Sequence, residues 1–132
     1  MMQERIEQEL VLLRGRWPDL DYRNDGQWIR IPGYPLPAGW NRTTTDVAFQ
    51  IHVSHPGTPP YGFYVPAGLT VNAQRPDNYV EPAPAQPPFG GAWGIFSWAP
   101  GDGEWRPTDD PQRGSNLLNW AVGFAVRFRE GK

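Results

Sequence analysis

The chain has 132 residues, enough for one domain with its own hydrophobic core. It contains no cysteine and only two histidines, which argues against disulfides, thiol catalysis and structural zinc sites. The net charge of −2, from 12 basic and 14 acidic residues, gives no positive field for nucleic acid or an anionic membrane. We therefore expect a single cytoplasmic domain over residues 1–132, with no nucleic-acid or membrane partner and no metal or cofactor.

Hydrophobic spacing predicts a helix at the start of the chain, over residues 2–14. Ile6, Leu10 and Leu13 recur at the helical interval, and charged residues occupy the other positions. Gly15 is placed to cap the helix at its C-terminal end.

A period-two alternation over residues 45–53 predicts a half-buried antiparallel strand. Its apolar set includes Val47, Phe49 and Ile51, which we expect to face a helix, and Asp46 and Gln50 fall on the opposite face. Three shorter strands are predicted over residues 27–31, 61–65 and 69–71.

Residues 72–92 show no period and are rich in proline and glycine, which predicts a long irregular segment. An aromatic cluster follows, and it is interpreted either as core or as a surface for proline-rich or extended peptides. Its members are Trp93, Phe96, Trp98 and Trp105. The chain closes with a helix that carries Leu117, Phe124 and Phe128 and for which Ser115 is the predicted N-cap. Helices at both ends of an antiparallel sheet make an α+β architecture.

Two short motifs and one serine form a recognisable pattern along the chain. Residues 55–60 read His-Pro-Gly-Thr-Pro-Pro and lead into Tyr-Gly-Phe-Tyr, and residues 105–107 read Trp-Arg-Pro. Ser97 stands eight residues before Trp105. This pattern resembles ubiquitin-conjugating enzymes (the UBC/RWD-like superfamily), in which a similar Pro-rich entry precedes a strand and a Trp-x-Pro lies eight residues after the catalytic residue. Residues 36–41, Leu-Pro-Ala-Gly-Trp-Asn, resemble a bacterial branch of that superfamily.

The resemblance implies an N-terminal helix, a four-stranded antiparallel meander, a long irregular loop and a C-terminal helix. It also implies a cis peptide bond between His55 and Pro56. The chain departs from the family because the nucleophile position holds Ser97 rather than cysteine, the His-Pro-Asn motif is missing, and the stretch from Pro60 to Ser97 is long.

If Ser97 acts as the nucleophile, the resemblance implies that the C-terminus of a ubiquitin-like protein is carried as an oxyester. A hydroxyl is a far weaker nucleophile than a thiolate and needs an adjacent base or strong positioning. The candidate carboxylates on the loop after Ser97 are Asp102, Glu104, Asp109 and Asp110. The alternative is that Ser97 is a turn residue and that these acids form a solvated loop.

Two functions therefore remain open at the level of sequence. The first is a carrier enzyme, whose partners would be a ubiquitin-like protein, an activating enzyme of the ubiquitin type and, in the same pathway, a metallopeptidase that cleaves conjugates. The second is a non-catalytic adaptor that keeps the fold and binds the ubiquitin-like protein or the activating enzyme. His52 is predicted to lie at the surface, and His55 is predicted to pack where the family has tyrosine.

Overall fold

A computed structural model describes residues 2–101 and 104–132. These residues form two α-helices and one six-stranded sheet, so the α+β class is confirmed. The strands are antiparallel and lie in the order β1-β2-β3-β4-β6-β5. In chain order the elements are α1 (Met2–Arg16), β1 (Asp21–Arg23), β2 (Trp28–Pro35), β3 (Thr44–Gln50), β4 (Phe63–Pro66), β5 (Tyr79–Val80), β6 (Trp93–Phe96) and α2 (Leu117–Arg129).

The alternation in β3 has the predicted register. Val47, Phe49 and Ile51 are buried in the main core, while Gln50 is exposed. A strand buried on one face fixes its register in this way because a slip of one residue would expose the whole apolar set. The strand ends at Gln50 rather than at residue 53, because the chain turns there and the His55 N–H bonds to the His52 carbonyl.

The other predicted strands are only partly correct. β2 continues past residue 31 through an irregularity between Ile31 and Tyr34, and β4 begins at Phe63 rather than at residue 61. The strand expected over residues 69–71 was wrong, because Val71 forms only isolated bridges with Trp40 and Gln74. β1, β5 and β6 were not predicted. Because the sheet has six strands, the expected four-stranded meander is not confirmed.

The proline-rich segment covers one face of this sheet. Ala83 and Phe89 from the segment pack with Trp28, Tyr64 and Trp93, and we call this the outer face. Gln86 attaches the segment to β6, because its side-chain amide forms hydrogen bonds with both the N–H and the carbonyl of Trp93. The two helices pack on the opposite, inner face, where the larger core lies.

The C-terminal end of α1 and the N-cap of α2 differ from the prediction. α1 continues to Arg16, so Gly15 lies inside the helix and does not cap it. The N-cap of α2 is Asn116, whose Oδ1 accepts the N–H of Asn119 at 2.7 Å. Ser115 instead accepts the N–H of Arg106 at 2.8 Å. Among residues 2–101 and 104–132, neither helix has the length and apolar character needed to cross a membrane.

Candidate functional site

Ser97 is exposed immediately after β6. Its backbone N–H donates to the carbonyl of Asn78 at 2.9 Å, which holds the residue against the β5 side of the sheet. Its Oγ lies 3.1 Å from the phenolic oxygen of Tyr61, and either hydroxyl can be the donor. Tyr61 itself is 68% exposed. We call these two side chains the Ser97–Tyr61 pair.

Gly62 brings the two members of this pair together. Its φ of +56° lies in the left-handed region, and a Cβ there would overlap the carbonyl oxygen of Phe96. Glycine therefore lets the chain before β4 run close to the end of β6, where Phe63 is paired with Phe96. The position of Tyr61 beside Ser97 follows from this close backbone approach.

A groove on the outer side of the sheet adjoins the pair. It has a volume of about 370 Å³. Its lining is formed by Gly26, Gln27, Gln50, Ile51, His52, Val53, Tyr61 and Tyr64. Tyr61 lines this groove, which we call the outer groove, and its hydroxyl also contacts Ser97 Oγ. Ser97 therefore lies next to the outer groove.

The structure places the predicted carboxylates as follows. Asp102 lies outside the described residues. Asp109 and Asp110 are exposed; Asp110 accepts the N–H of Gln112 at 2.9 Å and lies 3.7 Å from the Arg113 guanidinium. Asp110 also shares a surface cavity with residues of α1.

Glu104 forms an ion pair with Arg106. Within residues 2–101 and 104–132, the side-chain hydrogen bond of Ser97 is to Tyr61 rather than to Asp109 or Asp110. The catalytic roles of Ser97, Asp102, Asp109 and Asp110 stay predictions.

A buried ionic cluster of Arg5, Glu9 and His55 lies between α1 and the start of α2. Glu9 is completely buried, and its Oε2 lies 2.5 Å from His55 Nε2 and 2.7 Å from Arg5 Nε. Its other oxygen accepts the backbone N–H of Leu117 at 2.6 Å, at the first turn of α2. Arg5 also donates to the carbonyl of Thr108. One carboxylate therefore joins three separate parts of the chain.

The charge on Glu9 is maintained by these partners. Burial alone would raise the pKa of Glu9, but the hydrogen bonds from His55, the Leu117 N–H and Arg5 outweigh it and hold the pKa below its usual range. His55 is buried, and its peptide bond to Pro56 is cis, as predicted. The Pro56 carbonyl accepts the indole N–H of Trp105 at 2.6 Å, which connects the cluster to the loop before α2.

A second groove, the tryptophan groove, lies between this loop and α2. It has a volume of about 290 Å³, and Trp98, Trp105 and Trp120 line it together with Pro100, Gly123 and Val126. Trp98 and Trp105 each meet Trp120 edge-on, with ring centroids 5.1 and 5.9 Å apart. The predicted aromatic cluster is therefore divided, because Trp93 and Phe96 are buried while Trp98 and Trp105 are half-buried in this groove.

No three carboxylate or imidazole side chains converge on a metal-ion site in the part of the chain that the structure describes. His52 is exposed, and its Nδ1 accepts the N–H of Ser54 at 2.9 Å.

Sequence reasoning missed two residues, Tyr61 and Glu9. For Tyr61 no sequence signal exists, because its partner lies 36 positions away. For Glu9 a signal was present, since it follows Ile6 by three positions and precedes Leu13 by four and so lies on the apolar face of α1.

Comparisons of this chain with protein-family models, with curated proteins and with solved structures find no match.

Proposed function

We propose that this chain is a carrier of the ubiquitin-conjugating type, which accepts the C-terminal carbonyl of a ubiquitin-like protein on Ser97 and passes it to an acceptor. The observation that carries the proposal is the exposure of the Ser97 hydroxyl at the end of β6, next to the outer groove. A nucleophile that receives a protein tail has to be open to solvent on at least one side. The sequence motifs that resemble the family point to the same residue.

The proposed reaction has two steps. In the first, Ser97 Oγ attacks the carbonyl carbon of a thioester presented by an activating enzyme; the C–O bond forms, the C–S bond breaks, and the departing sulfur takes up the serine proton. In the second, an acceptor amine attacks the oxyester, an amide forms, and Ser97 regains its proton. Asp102, Asp109 and Asp110 remain the proposed carboxylates, which would have to come within hydrogen-bond reach of these protons when partners bind.

A second candidate is the non-catalytic adaptor, and one observation favours it. The tryptophan groove offers a half-open aromatic surface of the kind that accepts extended peptide segments, and it needs no nucleophile. In this account the chain binds the ubiquitin-like protein or its activating enzyme without making a covalent bond.

The test uses a glycine-ended peptide thioester, the activated form of a protein C-terminus, mixed with the pure chain. The carrier function predicts a covalent adduct that resists added thiol but is released by hydroxylamine, and Ser97→Ala should abolish it. Ser54→Ala is the matched control, because Ser54 is also exposed but lies in the turn after β3. An adduct that persists in Ser97→Ala would contradict the proposal.

The adaptor function makes a different prediction: the chain should bind the ubiquitin-like protein or its activating enzyme without forming a covalent adduct. Here Val126→Asp should weaken binding because Val126 lines the tryptophan groove. Val122→Asp is the control, since Val122 is similarly exposed on α2 but does not line the groove.

A further inference from the structure

The Ser97–Tyr61 pair has a chemical consequence in the second step of the proposed reaction. When the acyl group leaves Ser97, the Oγ atom departs as an alkoxide unless a proton reaches it. General acids that supply such a proton contribute on the order of 10²–10⁴-fold to a rate. The Tyr61 hydroxyl, 3.1 Å from Oγ, is within the distance at which such a transfer occurs.

We infer that Tyr61 is a catalytic residue of this transfer, donating its proton to Ser97 Oγ as the acyl group moves to the acceptor; the inference rests on the proposed carrier function. In the resting chain either hydroxyl can donate. In the oxyester, Ser97 Oγ carries no hydrogen, so only Tyr61 can donate across the pair. The hydrogen bond is therefore directed toward the leaving oxygen before the acceptor arrives.

The protons and bonds balance in this step. The acceptor amine attacks the ester carbonyl carbon, the new C–N bond forms, and the bond from that carbon to Ser97 Oγ breaks. Tyr61 gives its proton to Oγ, and the proton lost by the attacking nitrogen returns through solvent to the tyrosine oxygen. The products are an amide and the two original hydroxyl groups.

The backbone fixes Tyr61 in this place. Gly62 holds the chain against the end of β6, and its carbonyl accepts the indole N–H of Trp120 at 3.2 Å. The Ser97 N–H is bonded to Asn78 on the other side. Both hydroxyl groups are therefore carried on backbone that is hydrogen-bonded immediately beside them, although their side chains are exposed.

The test follows both steps with the glycine-ended peptide thioester as donor and glycinamide as acceptor, measuring each species by intact mass. Tyr61→Phe keeps the ring and removes the hydroxyl. Its adduct should still form, because Ser97 is intact, but transfer to glycinamide should be about 100-fold slower than in the wild-type chain. Tyr22→Phe is the control, because the Tyr22 hydroxyl bonds to Gln27 instead, at 2.5 Å.

A second background separates proton donation from a structural role. In Ser97→Cys the leaving atom is sulfur, and a thiolate with a pKa of about 8.5 leaves without a proton donor. Adding Tyr61→Phe to Ser97→Cys should therefore leave the transfer rate nearly unchanged. An equal slowing in both backgrounds would overturn the inference, because it would mean that Tyr61 only shapes the site.

The remaining outcomes distinguish the inference from the function on which it rests. If Ser97→Ala abolishes the adduct but Tyr61→Phe transfers at the wild-type rate, Tyr61 is not the donor and the carrier function stands. If the wild-type chain forms no adduct, or if Ser97→Ala forms it equally well, the carrier function and the inference both fail.

Discussion

Glu9 and His55 meet in the interior of the protein, with Oε2 and Nε2 2.5 Å apart, although 46 positions separate them in the chain. Arg5 shares the same carboxylate oxygen, and the other oxygen holds the first turn of α2. Charged groups are seldom fully buried unless they are paired in this way. The cluster therefore fixes how α1, the turn at His55 and the loop before α2 fit together.

Removing the charge at the centre of this cluster should be costly. Glu9→Gln leaves the Arg5 guanidinium, which is only 8% exposed, without its counter-charge. Breaking a buried pair from one side typically costs about 3–5 kcal/mol in the free energy of unfolding. Urea denaturation of both proteins measures the difference. Glu7→Gln, on the exposed face of the same helix, should change stability by less than about 0.5 kcal/mol.

The same carboxylate makes stability depend on pH in a defined direction. Because the pKa of Glu9 is lower in the folded than in the unfolded chain, its contribution is present above the ordinary glutamate pKa of about 4.5 and is lost as the pH falls through the lower folded value. The difference in unfolding free energy between wild type and Glu9→Gln should therefore shrink below about pH 4.5. A difference that stays constant down to pH 3 would contradict this assignment.

Gly94 in β6 should not tolerate a side chain. A Cβ at this position would overlap the hydroxyl and ring of Tyr79, which is buried against the strand and donates to Glu81 at 2.7 Å. Gly94→Ala should lower the free energy of unfolding by about 1–3 kcal/mol through this overpacking.

The matched control is Gly15→Ala. Nothing lies within 4 Å of a Cβ at Gly15, and the residue is inside α1. Alanine there should stabilise the protein by about 0.5–1 kcal/mol because it is the better helix former. Thermal unfolding of the two variants should therefore shift in opposite directions. A Gly94→Ala variant that unfolds at or above the wild-type temperature would contradict the packing described around Gly94.

The parts of the fold that were predictable from sequence are those in which one face is apolar and the other polar. β3 shows this with Phe49 buried beside the exposed Gln50, and α1 shows it with Ile6 and Leu10. β6 was not predictable because it is buried on both faces. Gly94 and Ile95 are buried as well as Phe96, so no alternation is visible.

The candidate site was predictable only in part for a related reason. The spacing to Trp105 picked out Ser97 because it is a local pattern along the chain. The pairing of Ser97 with Tyr61, and of Glu9 with His55, depends on contacts between distant segments that only the folded sheet brings together. The N-cap of α2 was misplaced by one residue because Ser115 and Asn116 are both suitable caps, and the hydrogen bond to Asn119 decides between them.

The central claim is that Ser97 carries an acyl group, and the most direct measurement is the location of that group in the chain. The wild-type protein is treated with the glycine-ended peptide thioester, digested, and sequenced by tandem mass spectrometry. We expect one modified peptide with the added mass on Ser97, absent after hydroxylamine treatment and absent from Ser97→Ala. Modification spread over Ser54, Ser115 and the Lys132 amine, with no excess on Ser97, would contradict it.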